Sequence, residues 1–404
     1  MSQNNNVVHT KDVGGSNAST LLQGMNWLNE SRNASEHAFQ DSGVACMPMQ
    51  HTPHLTFRFV LITIFGSAIA AGGIFSNLLL SYIFIRKLRC LKTNLFYFCV
   101  LSIGDLIIEI SYIAMFSVDL LTEYTESVTL YRIWLSYIRE LATLAQTSLT
   151  TCTFLIVAAS IERYMLTLKL TSFYKPNRGV TLLVVIAVAI ITKGTCYFEI
   201  TIRHYANCTG FGSASLDVSD FVRNTPLYRW YWMFLFRNVI QVFLPFTLLL
   251  VLNWLIVQNV RREMHMRSLV LRTMVNKRMV REWRKSVRAA TWMLYATVTL
   301  YLAANAYNVF ITAWEHLDRH SLQRLADGDF YQFSSDATSL LPLCCGSVRL
   351  FVYCSVNGDV RRALRQLLSK ACCCGCSIST NAKENHSQPM ASLHYVTEAN
   401  GSTV

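Results

Sequence analysis

The chain has 404 residues and a formal net charge of +12, with 52% hydrophobic and only 15% charged residues. An ordinary soluble domain carries about 25% charged residues, and a disordered polymer or nucleic-acid binder needs accessible charge rather than long apolar runs, so those classes are excluded. A membrane protein is left.

Residues 1–56 are polar and contain no apolar core of the kind a cleaved signal peptide requires, so the first span is expected to act as its own insertion signal. Asn17, Asn29 and Asn33 each open an Asn-x-Ser triplet in this stretch, and Asn207 opens Asn-Cys-Thr further on, which makes all four glycosylation candidates if they face outside. A bilayer core about 30 Å thick requires roughly 20 mostly apolar residues per helical crossing, because lipid leaves backbone N–H and C=O groups no other partner. Seven stretches qualify: Phe57 to Ile85, Asn94 to Leu120, Ile133 to Met165, Val180 to Ile202, Trp230 to Val257, Ala289 to Trp314 and Ala337 to Val356. The expected fold is therefore an all-α seven-transmembrane bundle over residues 57–356.

Basic residues crowd into alternate connections. Arg86, Lys87, Arg89 and Lys92 follow the first span, Lys169, Lys175 and Arg178 follow the third, and ten Lys or Arg lie between Arg261 and Arg288. Arg361, Arg362, Arg365 and Lys370 follow the seventh. By the positive-inside rule these connections are cytoplasmic, which puts the N-terminus outside and the C-terminus inside a cell-surface membrane. The Arg261 to Arg288 loop, interleaved with Met and Trp283, then reads as an extension of spans five and six against a protein partner or inner-leaflet lipid, or as a solvated charge face.

Over residues 357–370, Val360, Leu364, Leu367 and Leu368 align on one helical face above Arg361, Arg362 and Arg365, which describes a short amphipathic eighth helix lying on the inner leaflet. Cys372, Cys373, Cys374 and Cys376 open the tail, 371–404, and at that depth are candidates for palmitoylation, with a metal cluster or idle thiols as the alternatives. The terminal Ser402-Thr403-Val404 has the form of a PDZ ligand, a pattern that chance also produces. On the oxidising side lie Cys46 and Cys208, expected to pair, with Cys196 near the outer end of span four.

A charge at bilayer centre is costly, so each should face the bundle interior and have a partner. Asn77 sits late in span one, Asp105 midway along span two, and Glu162-Arg163-Tyr164 at the inner end of span three. Pro245 interrupts the apolar run of span five, and Tyr353 closes span seven. In type and order these features resemble the rhodopsin-like (class A) G protein-coupled receptors over about Phe57 to Lys370. Phe243-Leu244-Pro245-Phe246 with Asn253, and Asn305 in span six, look most like the invertebrate FMRFamide-type neuropeptide receptors. The resemblance implies a receptor for an extracellular peptide that signals to a heterotrimeric G protein, with no catalytic residues, cofactor or metal. Glu162 would hold Arg163 while the inner face is closed, and Tyr353 and Asn253 would close around Arg163 when the G protein docks.

The chain departs from the family at several positions. Ile138 stands where the family has a Cys at the outer end of span three, so the usual tether cannot form and Cys208 needs another partner. Arg349-Leu350 replaces the Asn-Pro pair before Tyr353. In relatives the Asp of span two and the Asn of span seven help hold sodium; here Arg349 is expected to pair with Asp105 instead, leaving no sodium site, and an Arg349 that snorkels to the inner interface is the competing reading. Ala145 and Leu343 stand where an amine receptor would have Asp and an opsin Lys. For the ligand pocket, Glu109 and Glu140 are the chosen acids, with Trp134 and Tyr137 as aromatic walls, and a basic peptide end would complement them. Glu199 and Lys193 are expected to neutralise each other. A chemosensory receptor for small molecules is the alternative within the class, and a transporter is the alternative outside it, which would need duplicated broken helices that the sequence does not contain.

The topology is checked by tagging both termini in intact cells: antibody should reach the N-terminal tag without permeabilisation and the C-terminal tag only after it, and two tags on one side would refute an odd number of crossings.

Overall fold

In a computed structural model of the chain, residues 54–88, 95–168, 177–205, 208–228, 231–232, 236–237, 239–270, 277–317 and 329–375 are described. Two compact units divide it, Met1–Ala363 and Leu364–Val404. Among the described residues, seven helices are long and apolar enough to cross a membrane, all within the first unit. They are α1 (Leu55–Lys87), α2 (Phe96–Thr125), α3 (Val128–Thr167), α4 (Arg178–Lys193, which reaches membrane length with the further turn to Glu199), α5 (Leu244–Val270, entered through a π turn at Val239–Phe243), α6 (Lys277–Leu317) and α7 (Asp329–Val356). A further helix, α8 (Gly358–Gly375), follows α7, and its residues 364–375 are the described part of the second unit.

The bundle closes as a ring, α1 on α2, α2 on α3, α5 on α6, α6 on α7 and α7 back on α1, with α3 also touching α4, α5 and α6. The most connected helix is thus also among the longest, which makes α3 the pillar that the others pack against. Its start is defined locally. Glu126 ends α2 in the left-handed region at φ 50°, and the Ser127 hydroxyl then caps α3 by accepting from the Leu130 N–H at 3.4 Å. Large apolar side chains that point out of the bundle, such as Phe75, Leu183 and Phe351, are exposed, as expected of lipid-facing positions.

Span four runs from Arg178 to Glu199, close to the stretch Val180 to Ile202 that hydropathy marks, but not as one unbroken helix. Helix α4 stops at Lys193, Gly194 and Thr195 turn the chain, and one further turn, Cys196–Glu199, leads into a strand. The β-branched run Ile200-Thr201-Ile202 goes into β1 (Ile200–His204), which pairs antiparallel with β2 (Ala214–Val218), Ile202 opposite Leu216. Here β propensity and a cross-strand partner outweigh helical continuation. The hairpin rests on α3, since Ile200 and Ala214 share a core cluster with Trp134, Ile138 and Cys196. We call this end of the bundle the hairpin end, and the opposite one, which carries Arg86, Lys87 and Arg178, the basic end.

Among the described residues, π turns include Phe59–Gly66, Ile83–Lys87, Ile113–Ser117 and Val239–Phe243. A π turn shifts the hydrogen-bond ladder by one residue and leaves carbonyls that need other donors. In α2 the donors come from α3: the Trp134 indole N–H donates to the Met115 carbonyl at 3.0 Å and the Tyr137 hydroxyl to the Ala114 carbonyl at 2.9 Å. In span five the π turn runs directly into Leu244 and Pro245, and the Thr247 hydroxyl donates to the Phe243 carbonyl at 2.8 Å. The break expected from Pro245 therefore takes the form of a π turn, because proline offers no N–H to continue the ladder.

Trp134→Phe keeps most of the ring and removes the donor. It should destabilise the purified protein by about 1–3 kcal/mol, read as a lower thermal midpoint, with a change in the same direction for Tyr137→Phe; unchanged midpoints in both would mean the π turn needs no cross-helix donors.

Candidate functional site

The interior of the first unit holds ionised residues at three levels. The middle level is built by α1, α2 and α7. On α2 the buried residues Phe98, Leu101, Ser102, Asp105, Glu109 and Tyr112 recur at helical spacing, so one face carries both carboxylates into the bundle. Arg349 on α7 donates through Nη1 to Asp105, and these residues are 6% and 3% exposed. Arg349 thus turns inward rather than toward the basic interface, because the carboxylate is the only alternative to stranding the guanidinium in an apolar wall. Glu109, one turn along α2, accepts from the Asn77 amide at 2.8 Å through Oε1, and the same amide reaches the Gly346 carbonyl at 3.3 Å. Glycine leaves room where this carboxylate crowds the backbone: a Cβ on Gly346 would lie 2.9 Å from Glu109 Oε1, and one on Gly73 would force the carboxylate to shift. Two carboxylates therefore face one guanidinium, and Glu109 Oε2 and Asn77 Oδ1 are buried without a donor.

Glu109, chosen from sequence for a ligand pocket, belongs to this buried middle level. Its position on the buried face of α2 puts it beside Asn77, away from Glu140, which is 53% exposed at its side chain and pairs with Arg139 at 3.3 Å. Trp134 and Tyr137 likewise have their polar tips committed to α2 carbonyls, and Trp134 is buried in the core. Of the four residues chosen from sequence, Glu109 and Trp134 are buried, Tyr137 is half-buried and Glu140 is exposed.

At the basic end, Glu162 and Arg163 are both buried, Arg163 to 5%. Glu162 is gripped by Arg178 at the start of α4, with Nη2 at 2.6 Å and Nε at 3.1 Å from Oε1. Arg178, read from sequence only as part of a basic loop, is thus the residue that ties α4 to α3. Tyr164 and Asn253 are half-buried. Tyr353 is buried at 1%, packs against Phe84 and Phe98, and accepts from the Thr297 hydroxyl at 3.3 Å, which joins α7 to α6. Just beyond, Asn357 receives the Asp359 N–H at 2.9 Å and donates to Met293 Sδ at 3.0 Å, fixing the corner where α8 begins.

The third level lies toward the hairpin end. Glu199 accepts from both terminal nitrogens of Arg237, the Nη1 contact being 3.1 Å, and from the Tyr228 hydroxyl at 2.8 Å. Burial, with the Glu199 carboxylate beside it, holds the Tyr228 phenol well above its ordinary value, so it remains an O–H donor. The expected neutralisation of Glu199 by Lys193 is overturned: the turn at Gly194 and Thr195 swings Glu199 toward span five, and Arg237 takes it. Arg237 was legible in principle, as a single guanidinium within the oily stretch from Trp230 to Val257.

Cys208 is disulfide-bonded, and its partner lies outside the described residues, as do Cys46, Asn17, Asn29, Asn33, Asn207, Cys376, Ser402, Thr403 and Val404. For Cys372, Cys373 and Cys374 only the helical backbone of α8 is described. Among the described residues no set of three or more His, Cys, Asp or Glu side chains comes together as metal ligands. Comparison with models of known families and with curated proteins finds no match.

The crowded middle level predicts an asymmetry. In Asp105→Asn, Arg349 still has Glu109 within electrostatic reach, whereas Arg349→Leu leaves two buried carboxylates without a cation, a loss of about 3–5 kcal/mol. Thermal unfolding of the purified variants should rank Arg349→Leu well below Asp105→Asn, with the double variant above Arg349→Leu alone; equal midpoints for the two single variants would mean Glu109 does not share the guanidinium.

Proposed function

We propose that this chain is a cell-surface G protein-coupled receptor of the rhodopsin-like type, activated by a peptide from outside and acting on a heterotrimeric G protein within. The observation that carries this reading is Arg163: a guanidinium almost completely buried at the basic end of the central helix, beside a Glu162 that Arg178 holds from α4. A buried cation at the rim of a bundle has a use if the helices around it separate, because it then becomes a ready donor for a docking helix. The reading is supported by the latch between Thr297 on α6 and Tyr353 on α7 at the same end, which joins the elements that would have to part.

On this reading the hairpin end faces outside and the basic end the cytoplasm, in agreement with the positive-inside rule. The four Asn-x-Ser/Thr sites carry glycans, Cys208 pairs with Cys46, α8 lies on the inner leaflet with palmitate on Cys372 to Cys374 and Cys376, and Val404 offers its carboxylate to a PDZ protein. Signalling is a shift of population between closed and open inner faces, driven by a ligand that binds the open form better. A peptide suits the hairpin end because the two-stranded sheet β1–β2 offers main-chain groups that an extended chain can pair with. A small-molecule chemosensory receptor is the second reading, favoured by the deep burial of the charged groups between α4 and span five.

The test is a peptide panel, amidated and free-acid, on cells expressing the chain, read with sensors for several G protein classes. Arg163→Ala should reach the surface at wild-type level yet lose stimulated nucleotide exchange by at least about tenfold. Solute flux by the purified protein with no exchange on any sensor would instead establish a transporter.

A further inference from the structure

At the level near the hairpin end the formal charges do not balance. Lys193 and Arg237 bring two positive groups and Glu199 one negative, and the Glu199 carboxylate is occupied by Arg237 and Tyr228. Lys193 is 3% exposed, and no hydrogen bond or ion pair reaches it among the described residues. It is the last residue of α4, on the face that buries Val185, Ala189 and Thr192 and away from lipid-facing Ile190 and Ile191. An ammonium so placed costs several kcal/mol, relieved when an anion meets it or when it gives up its proton, and the Glu199 carboxylate that acts on it is already hydrogen-bonded elsewhere.

Donors on α3 and span five, the helices that enclose this level, are also unanswered. Gln146 on α3 is buried with its Nε2 unpartnered, and it adjoins Ala145 and lies one turn from Ala142, both of which pack in the cluster that contains Cys196. Gln241, about one turn beyond Arg237 in span five, has a buried and unpartnered Nε2, as does the Arg237 Nε. Arg237 itself donates to Cys196 Sγ at 3.7 Å, which links these helices at one level. Cations and amide donors here lack acceptors, the reverse of the excess of acceptors around Glu109. An aromatic column flanks the site: Tyr228 lies 6.5 Å from Trp232 and Trp232 4.7 Å from Phe236 between ring centroids, both pairs stacked.

We propose that Lys193, with Gln146 and Gln241, forms a subsite for the carboxylate of the activating ligand, an aromatic acid or the free C-terminus or acidic side chain of a peptide. This inference rests on the receptor reading and deepens it, and it reverses the expected charge of the ligand. A carboxylate fits better than a phosphate ester because a single positive charge is unmatched, and a phosphate brings about −1.5 to −2 at neutral pH.

The experiment uses the full chain in phosphatidylcholine nanodiscs, with indole-3-acetate and its neutral amide as one probe pair and a short aromatic-ended peptide as free acid and as amide as another. Thermal midpoint and equilibrium binding are measured for wild type, Lys193→Gln and Lys193→Arg. At least one acid should raise the wild-type midpoint where its amide does not, and which pair responds tells small acid from peptide terminus. Lys193→Gln should unfold higher than wild type without any probe and lose at least about tenfold in affinity for the acid, whereas Lys193→Arg retains it. Acids no better than amides on wild type overturn the subsite even if Lys193→Gln fails to fold, and so does a lower midpoint in Lys193→Gln with undiminished binding. Neither readout needs a G protein, so Lys193-dependent binding without nucleotide exchange would sink the receptor reading and leave the subsite standing.

Discussion

Charge cannot be left alone in a medium without water, and most of this fold follows from how its few ionised side chains find one another. Arg58 at the start of α1 meets Asp336 on α7 at 2.8 Å, Arg349 on α7 meets Asp105 on α2, Glu162 on α3 meets Arg178 on α4, and Glu199 after α4 meets Arg237 at the entrance to span five. Every pair joins two different spans. Because lipid competes for apolar contacts between helices as well as a neighbouring helix does, these pairs select neighbours that oily faces alone would not distinguish. Helix α7 is fixed at two levels by two such pairs, which makes it the element whose placement depends most on charge.

Backbone groups obey the same rule. The π turns of α2 and span five leave carbonyls that side chains then answer, Trp134 and Tyr137 from α3 in one case and Thr247 from its own helix in the other. Tyr112 reaches the Ile62 carbonyl within the π turn of α1 at 3.2 Å. In α1 and α2 the irregular turns are thus sites of cross-helix attachment, because a carbonyl released from the ladder is a ready acceptor for a neighbour's N–H or O–H.

Two levels of the interior carry opposite imbalances: two carboxylates to one guanidinium around Asp105, two cations to one carboxylate around Glu199. The first is enclosed by α1, α2 and α7 and the second by α3, α4 and span five. Since α3 touches α2, α4, α5 and α6, an anion entering the second level would change the field and packing on the one helix that also carries Glu162 and Arg163 at the basic end. Two-state behaviour in such a bundle requires only that one arrangement of these pairs be favoured over another by a few kcal/mol.

Composition and hydropathy alone determined that seven helices would span a membrane, because burying some twenty consecutive peptide groups in lipid leaves no other secondary structure. The partnership of Arg349 and Asp105 was also readable, through the resemblance, which implies that the residue at Arg349 stands close to the Asp of span two. The end of α4, the hairpin and the partners of Glu109, Glu162 and Glu199 were not. Lys193 and Glu199 are near in sequence and Glu109 looks outward by position, yet a turn at Gly194, a strand at Ile200 and the angular facing of α2 reassigned all of them. A local sequence fixes which groups must be satisfied; which distant side chain satisfies them depends on helix rotation and height, and those are set only when the helices pack.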